Sequence, residues 1–326
     1  MDVSGLKKVH YVGPHAEALL QEAVTRDVRR LYPGKAVYAC MLNDAGKFID
    51  DCIVYRTGPN AWFVVHGSGD GMAQLTRSTQ GRDVAVHFDD DLHDLSLQGP
   101  AAVDFLAEHV PGIRDLDYFH FVNTTLFDCP VMLSRTGYTG ERGYEIFCKR
   151  DDAPKIWDTV LELGVPFGIV PCAFVTLDWL RVESYLLFYP YDNSEMYPFA
   201  DEGPGDTLWE LGLDFTVTPG KTGFRGAEEH ARLAGKERFK IFGVLLEGDA
   251  AAAEGDTLHA GGEQVGVITC AMYSRLTGKS MAIARMDVPV AVQGTPLEVR
   301  GSITVPAIAH DLPFDDPQKL KRMAKG

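Results

Sequence analysis

Apolar positions follow two periods along this chain. An every-third-or-fourth spacing at Ala16, Leu19, Leu20, Ala23, Val24 and Val28, opened by Pro14, predicts a helix over 14–31. Runs of β-branched and aromatic residues predict strands over 37–42, 49–56, 61–66, 84–88, 131–135 and 144–148. Asn43-Asp44-Ala45-Gly46 has the composition of a hairpin turn between the first two. Gly99-Pro100 opens a helix to 110, and helices are predicted over 154–163 and 172–185. Helices and strands mix without a regular βαβ alternation, so the expected class is α+β.

After residue 186 the pattern changes. The stretch 189–205 is rich in Pro, Tyr and acids and reads as a long irregular segment. Beyond Gly226 a short polar helix precedes strand-like runs at 239–246, 264–270, 280–286, 297–299 and 303–308, separated by Gly-rich turns. These predict a C-terminal β-barrel or sandwich. The division expected is 1–233 and 234–326, with a polar tail from 315 that frays.

Composition removes several classes. With 45% hydrophobic and 24% charged residues, the 326-residue chain is ordinary globular protein with room for two or three cores. A net charge of −15 speaks against nucleic acid or anionic lipid as partner, because both demand a basic surface. No apolar run approaches the roughly 20 residues that span a bilayer, and Met1-Asp2-Val3-Ser4 carries no basic-then-apolar leader, so a cytoplasmic protein is expected. Cys40, Cys52, Cys129, Cys148, Cys172 and Cys270 stand singly in apolar surroundings and read as reduced, buried residues.

Candidate chemistry concentrates at Asp50-Asp51, neighbouring carboxylates at the start of a strand just after the turn. Side chains alternate along a strand, so the two face opposite ways and at most one reaches a buried pocket. On composition alone the pair reads as solvated acids at a strand end. The segment 135–145, with Gly137, Gly140 and Gly143 between strands, is either a hairpin using positive φ or a backbone cleared for a flat ligand with Glu145 beside it. The acidic run His87 to His93 lacks metal-ligand spacing, and Gly67, Gly69 and Gly71 lack the Lys-Ser/Thr ending of a phosphate loop. Arg181 and Glu183, on the helix near 180, are either an ion-pairing couple or an anion clamp.

In sequence order, Asp2-Val3-Ser4, Gly13-Pro14, Thr25-Arg26-Asp27-Val28, the 38–54 stretch, Leu97-Gln98-Gly99-Pro100, the 135–145 stretch, Leu180-Arg181-Val182-Glu183, Phe224-Arg225-Gly226 and Leu312-Pro313-Phe314 resemble the glycine-cleavage T-protein (aminomethyltransferase) family. That family also contains folate-dependent demethylases. The resemblance covers almost the whole chain. It implies three domains in a ring around a pteridine-binding hole, the last a β-barrel, and tetrahydrofolate as cofactor. It places Asp51 at the catalytic carboxylate and Glu145 at the acid that binds the pteridine. Tyr38, Asn43, Tyr138 and Arg181 fall at folate-contacting positions, and no metal is implied. A small-molecule one-carbon donor and a lipoylated carrier protein are the implied partners.

The activity expected is aminomethyl transfer to tetrahydrofolate. The alternatives are demethylation of a small S-, O- or N-methyl donor, and a non-enzymatic folate-binding homologue. Three departures accompany the resemblance: Leu177 stands where T-proteins carry Arg, the 189–205 segment is longer and more acidic, and family members carry a segment preceding the Asp-Val-Ser motif.

Overall fold

The computed structural model describes residues 1–67, 69–189, 191–193 and 205–324. Part of the predicted irregular segment, residue 190 and residues 194–204, lies outside them. The chain forms two antiparallel sheets, each backed by helices, and a closed six-stranded barrel.

The first sheet has the order β2-β3-β4-β1-β5, built from β1 (Lys7–Val12), β2 (Ala36–Leu42), β3 (Phe48–Gly58), β4 (Ala61–His66) and β5 (Ala85–Phe88). Alternation divides its residues between two faces. Val9, Tyr11, Ala39, Met41, Cys52, Val54, Trp62 and Val64 pack against α1 (Ala16–Ala23) and α2 (Gly71–Thr79). The predicted helix over 14–31 is shorter in the fold. It stops at Ala23, because Thr25 turns inward to bond the Cys40 amide through its hydroxyl at 3.0 Å, and Val28–Arg30 forms a separate 3-10 turn.

The second sheet runs β6-β9-β8-β7, with β6 (Leu92–Gln98), β7 (Phe121–Leu126), β8 (Cys129–Ser134) and β9 (Gly143–Lys149). One face, carrying Leu95, Leu97, Leu133, Tyr144 and Ile146, is covered by α3 (Ala102–Ala107) and α4 (Ala153–Leu163). Its other face meets the first sheet through an aromatic cluster. Phe63 and Phe147 meet edge to face with centroids 5.5 Å apart, and Tyr55 meets Phe121 at 5.6 Å.

From α5 (Phe174–Ser184) the chain passes α6 (Leu208–Leu211) and α7 (Ala227–Leu233) into the barrel. Its strands are β10 (Phe239–Leu246), β11 (Thr257–Ala260), β12 (Glu263–Ser274), β13 (Lys279–Asp287), β14 (Pro296–Arg300) and β15 (Thr304–His310). A third core joins Phe239, Ile241, Met281 and Ile283 of the barrel to Leu208, Leu211, Cys40, Leu42 and Phe48. The barrel therefore covers the β2–β3 hairpin end of the first sheet's inner face, and the second sheet covers the Tyr55 end. Tyr38 and Asp51 lie on this inner face, between the two covered ends.

The expected α+β architecture with a C-terminal β-barrel is the one adopted. The tail departs from expectation. It forms α8 (Leu320–Met323), and Lys321 bonds Asp315 at 2.5 Å and Glu141 at 3.1 Å while Arg135 donates to the Arg322 and Ala324 carbonyls. Of the six cysteines, all of them free, Cys172 alone is not buried. Among the described residues no helix is long and apolar enough to cross a membrane.

Candidate active site between the two sheets

Asp50 and Asp51 face opposite sides of β3, as alternation requires. Asp50 is buried on the helix-covered face, where His66 Nδ1 lies 2.9 Å from its Oδ2 and the Asp51 amide donates to its Oδ1 at 2.9 Å. The glycines at 67, 69 and 71 wrap this carboxylate. A Cβ on Gly69 would stand 2.0 Å from the Ile49 carbonyl oxygen, and one on Gly71 would stand 2.6 Å from Asp50 Oδ2. Glycine here serves close packing of backbone on an acid. Asp50 thus fixes the peptide from which Asp51 projects.

Asp51 points to the inner face of the first sheet, half-buried opposite Cys40 on β2. The Tyr38 phenol donates to its Oδ2 at 2.7 Å. Burial pushes the Asp51 carboxyl up to about 6; the Tyr38 hydrogen bond opposes the rise, and the Asp50 charge adds to it. A carboxylate titrating near neutrality with one oxygen oriented is suited to general-base work. Arg26 steadies Tyr38 from behind, its Nε donating to the Tyr38 carbonyl at 3.2 Å.

On the second sheet, Glu145 is buried on the inner face of β9. Thr136 Oγ1 donates to its Oε2, and Ser134 Oγ lies 2.8 Å from Thr136 Oγ1, with the Tyr55 hydroxyl beside both. Burial raises the Glu145 pKa, against the Thr136 hydrogen bond. The glycine-rich turn satisfies neither of its two sequence readings in full. Only Gly140 of its three glycines has positive φ, at 76°. Gly137 and Gly143 instead make room for the Gln98 side chain, whose Oε1 would lie 2.1 and 1.9 Å from added Cβ atoms.

Tyr138 sits close enough to Asp51 and Arg181 for their charges to act on it, and its hydroxyl donates to the carbonyls of Leu186 and Leu187. Arg181 is fully engaged inside the protein. Its guanidinium bonds Asp178 at 2.6 Å and Asp192 at 2.7 Å, and Asp192 also accepts from Thr269 of the barrel at 2.7 Å. Its role in the fold is to tie α5 to the 186–192 segment and the barrel. Asn43 uses its side-chain oxygen within its own turn, accepting from the Ala45 and Lys47 amides at 3.0 Å each. Of the predicted residues, Tyr38, Asp51 and Tyr138 are therefore brought together, Glu145 lies on the inner face of the second sheet, and Asn43 and Arg181 are engaged within the fold.

Sequence reasoning passed over the residues that orient these: His66 behind Asp50, Thr136 and Tyr55 beside Glu145, and Asp94 on the neighbouring strand. The alternation Asp94-Leu95-Ser96-Leu97-Gln98 carried a signal for the last, since it puts three polar residues on one strand face. The His87 to His93 run forms the β5–β6 turn, where Asp89 Oδ2 lies 3.3 Å from His10 Nε2.

A half-buried carboxylate oriented by a phenol on the first sheet and a buried carboxylate bonded by a threonine on the second, with the barrel packed on the hairpin beside the first, form the candidate site of this α+β fold. The GCVT N-terminal domain matches residues 1–221, and the glycine cleavage T-protein C-terminal barrel domain matches residues 240–316. The chain belongs to the glycine cleavage T-protein family.

A protein described as heme-dependent oxidative N-demethylase gamma subunit, from Ectopseudomonas mendocina (strain ymp), is 74% identical over 326 residues, covering 100% of this chain and 87% of that protein. An aminomethyltransferase of Bacillus mycoides (strain KBAB4) is 31% identical over 322 residues, covering 96% of this chain and 85% of its own. A trimethylamine-oxide aldolase of Ruegeria pomeroyi is 34% identical over 342 residues, and this chain spans 42% of it. The crystal structure of glycine cleavage system aminomethyltransferase T from Bartonella henselae superimposes with a TM-score of 0.84 at 23% identity, over 96% of this chain and 85% of that one, a likeness of fold. These named relatives are enzymes.

Proposed function

We propose that this chain is a tetrahydrofolate-dependent one-carbon transferase that acts as the folate-handling subunit of an oxidative N-demethylase. The observation that carries the reading is the presence, on the inner faces of the two sheets, of Asp51 oriented by the Tyr38 phenol and of the buried Glu145. The 74% identity over the whole chain to an N-demethylase gamma subunit favours a demethylase setting over the lipoylated-carrier reaction of the more distant aminomethyltransferases.

The residues present fit the pterin of folate. Glu145 is buried with a single hydroxyl donor among the described residues, and a buried carboxylate lacking donors is costly. The pterin edge carries adjacent N–H groups that a carboxylate accepts in pairs, and Tyr38 and Tyr138 offer flat apolar faces to a flat ring. When bound, tetrahydrofolate supplies N5 as nucleophile toward a carbon at the formaldehyde level. Asp51 holds the other end of the chemistry. With Oδ2 fixed by Tyr38, the carboxylate would take the proton that leaves N5, and its charge would stabilise a cationic one-carbon donor. Asp50, His66 and the glycine wrap keep that carboxylate from turning away. The small-molecule donor is then an N-methylated amine oxidised by two electrons in a partner subunit.

Titration with tetrahydrofolate tests the site: wild type binds, and Glu145→Ala loses affinity by tenfold or more. If wild type does not bind, the pocket assignment fails. Product analysis tests the reaction. An oxidised N-methyl group gives 5,10-methylenetetrahydrofolate, whereas direct methyl transfer gives 5-methyltetrahydrofolate. A strict requirement for a lipoylated carrier would return the protein to aminomethyl transfer.

A further inference from the structure

On β6, Leu95 and Leu97 enter the helix-covered core, so Asp94 and Ser96 face the first sheet, on the face that carries Glu145. Ser96 stands directly opposite Glu145, and Asp94 is opposite Phe147, which makes Asp94 the diagonal neighbour of Glu145. Diagonal pairs on neighbouring strands lie about 7–8 Å apart at Cα, near enough for two carboxyls to share one small group.

Asp94 is 0% exposed, and among the described residues neither of its carboxylate oxygens has a hydrogen-bond partner. The groups facing it from the elements packed around it are Glu145 from β9, Tyr55 from β3, Lys8 from β1, and Asp2 with the chain's first amine. Lys8 supplies no direct bond, because its ammonium donates to the Ser4 and Leu6 carbonyls at 2.8 and 2.9 Å. Ser4 Oγ accepts from the Asp94 amide at 2.9 Å, which holds the backbone and leaves the carboxyl untouched. Burial, reinforced by Glu145, raises the Asp94 pKa well above the usual range. Leaving a buried acid without a donor costs stability, and such groups mark a missing partner or a working site.

We infer that Asp94 is a second acidic contact of the pterin subsite, accepting the hydrogen of the 2-amino group that Glu145 leaves unused. The inference rests on the folate reading of this same site. The pterin edge presents three hydrogens side by side, one on N3 and two on the 2-amino nitrogen. A single carboxylate accepts two of them. The third would need a further acceptor; among the described residues of the adjacent strand, Gln98 Oε1 is one unpartnered buried acceptor, and Asp94 is the acid, with both of its oxygens unpartnered. The pair selects an aminated pterin, because a ring lacking the amino group leaves Asp94 unsatisfied.

The test compares wild type, Asp94→Asn and Asp94→Leu in titrations with tetrahydrofolate and with an analogue in which a methyl group replaces the 2-amino group. Tetrahydrofolate affinity is expected to fall about twofold in Asp94→Asn and up to about tenfold in Asp94→Leu, by loss of a hydrogen bond. Toward the analogue all three proteins should bind alike. Without ligand, both variants should melt at higher temperature than wild type, since an unpartnered buried acid has been removed. Unchanged tetrahydrofolate affinity in both variants, while Glu145→Ala loses binding, overturns the role of Asp94 and leaves the folate site standing. Equal losses for both ligands also overturn it, by assigning Asp94 a purely structural part. Absence of binding by wild type removes the folate reading itself.

Discussion

Tyr38→Phe isolates the tuning of Asp51. Burial pushes this carboxyl up to about 6, and the phenol, donating at 2.7 Å, works against the rise by favouring the ionised form. A hydrogen bond to a charged group contributes about 1.5–3 kcal/mol, and about 1.4 kcal/mol corresponds to one pH unit, so deleting the hydroxyl should raise the carboxyl by about one to two pH units. Proton acceptance needs the carboxylate, so activity is full above this value and falls as pH drops through it. The wild-type acid limb in kcat/KM is expected near 6. In Tyr38→Phe it moves to about 7–8, which leaves the variant roughly two- to tenfold slower at pH 7 and nearly equal at pH 9. The assay is one-carbon transfer to tetrahydrofolate by the assembled enzyme from pH 5 to 9. An acid limb at the same pH in both proteins, or a loss independent of pH, would refute the proposed tuning.

Other consequences can be checked separately. A carboxyl whose pKa is higher folded than unfolded contributes stability below its unfolded value of about 3.9 and loses it as pH rises through about 6, so Asp51→Asn should stabilise the ligand-free protein at pH 7 by about 1–3 kcal/mol in denaturant melts while abolishing turnover. Gly69→Ala drives a Cβ to 2.0 Å from the Ile49 carbonyl and should cost about 1–3 kcal/mol, with a drop in kcat from the displaced Asp50-Asp51 peptide; an unperturbed melt would contradict the packing. His66→Ala leaves Asp50 buried without its imidazole partner and should cost about 3 kcal/mol by chemical denaturation. Arg181→Ala strands Asp192 in the interior and should cost about 3–5 kcal/mol; if stability holds and only folate affinity falls, Arg181 is a ligand contact and not an internal tie.

Much of the fold was legible because it is written in local periods. The strands around Asp51, the helix over 154–163 and five of the six barrel strands follow alternation or helical spacing, and each lies within a few residues of its expected place; the short β11 (Thr257–Ala260) was not expected. The strands Lys7–Val12, Leu92–Gln98 and Phe121–Leu126 were missed for a common reason: each mixes polar residues among its apolar ones, because one of its faces meets buried polar groups or solvent. The helix Gly71–Thr79 was hidden by the glycines at its start, whose purpose is contact with Asp50.

The sequence by itself determined that Asp50 and Asp51 diverge, since period-two alternation is a property of any strand. Its order of motifs also pointed to Glu145 as the partner acid. The same order pointed to Asp51 rather than Asp50, and the tertiary structure supplied the physical reason: α1 and α2 cover the side of the sheet that Asp50 faces. Only the tertiary structure decided that Arg181 is spent on Asp178 and Asp192, and that Asp94 stands buried beside Glu145 with no donor among the described residues. Hydrogen-bond partners come from segments remote in sequence, and burial is set by the packing of whole sheets. Neither can be read from local spacing.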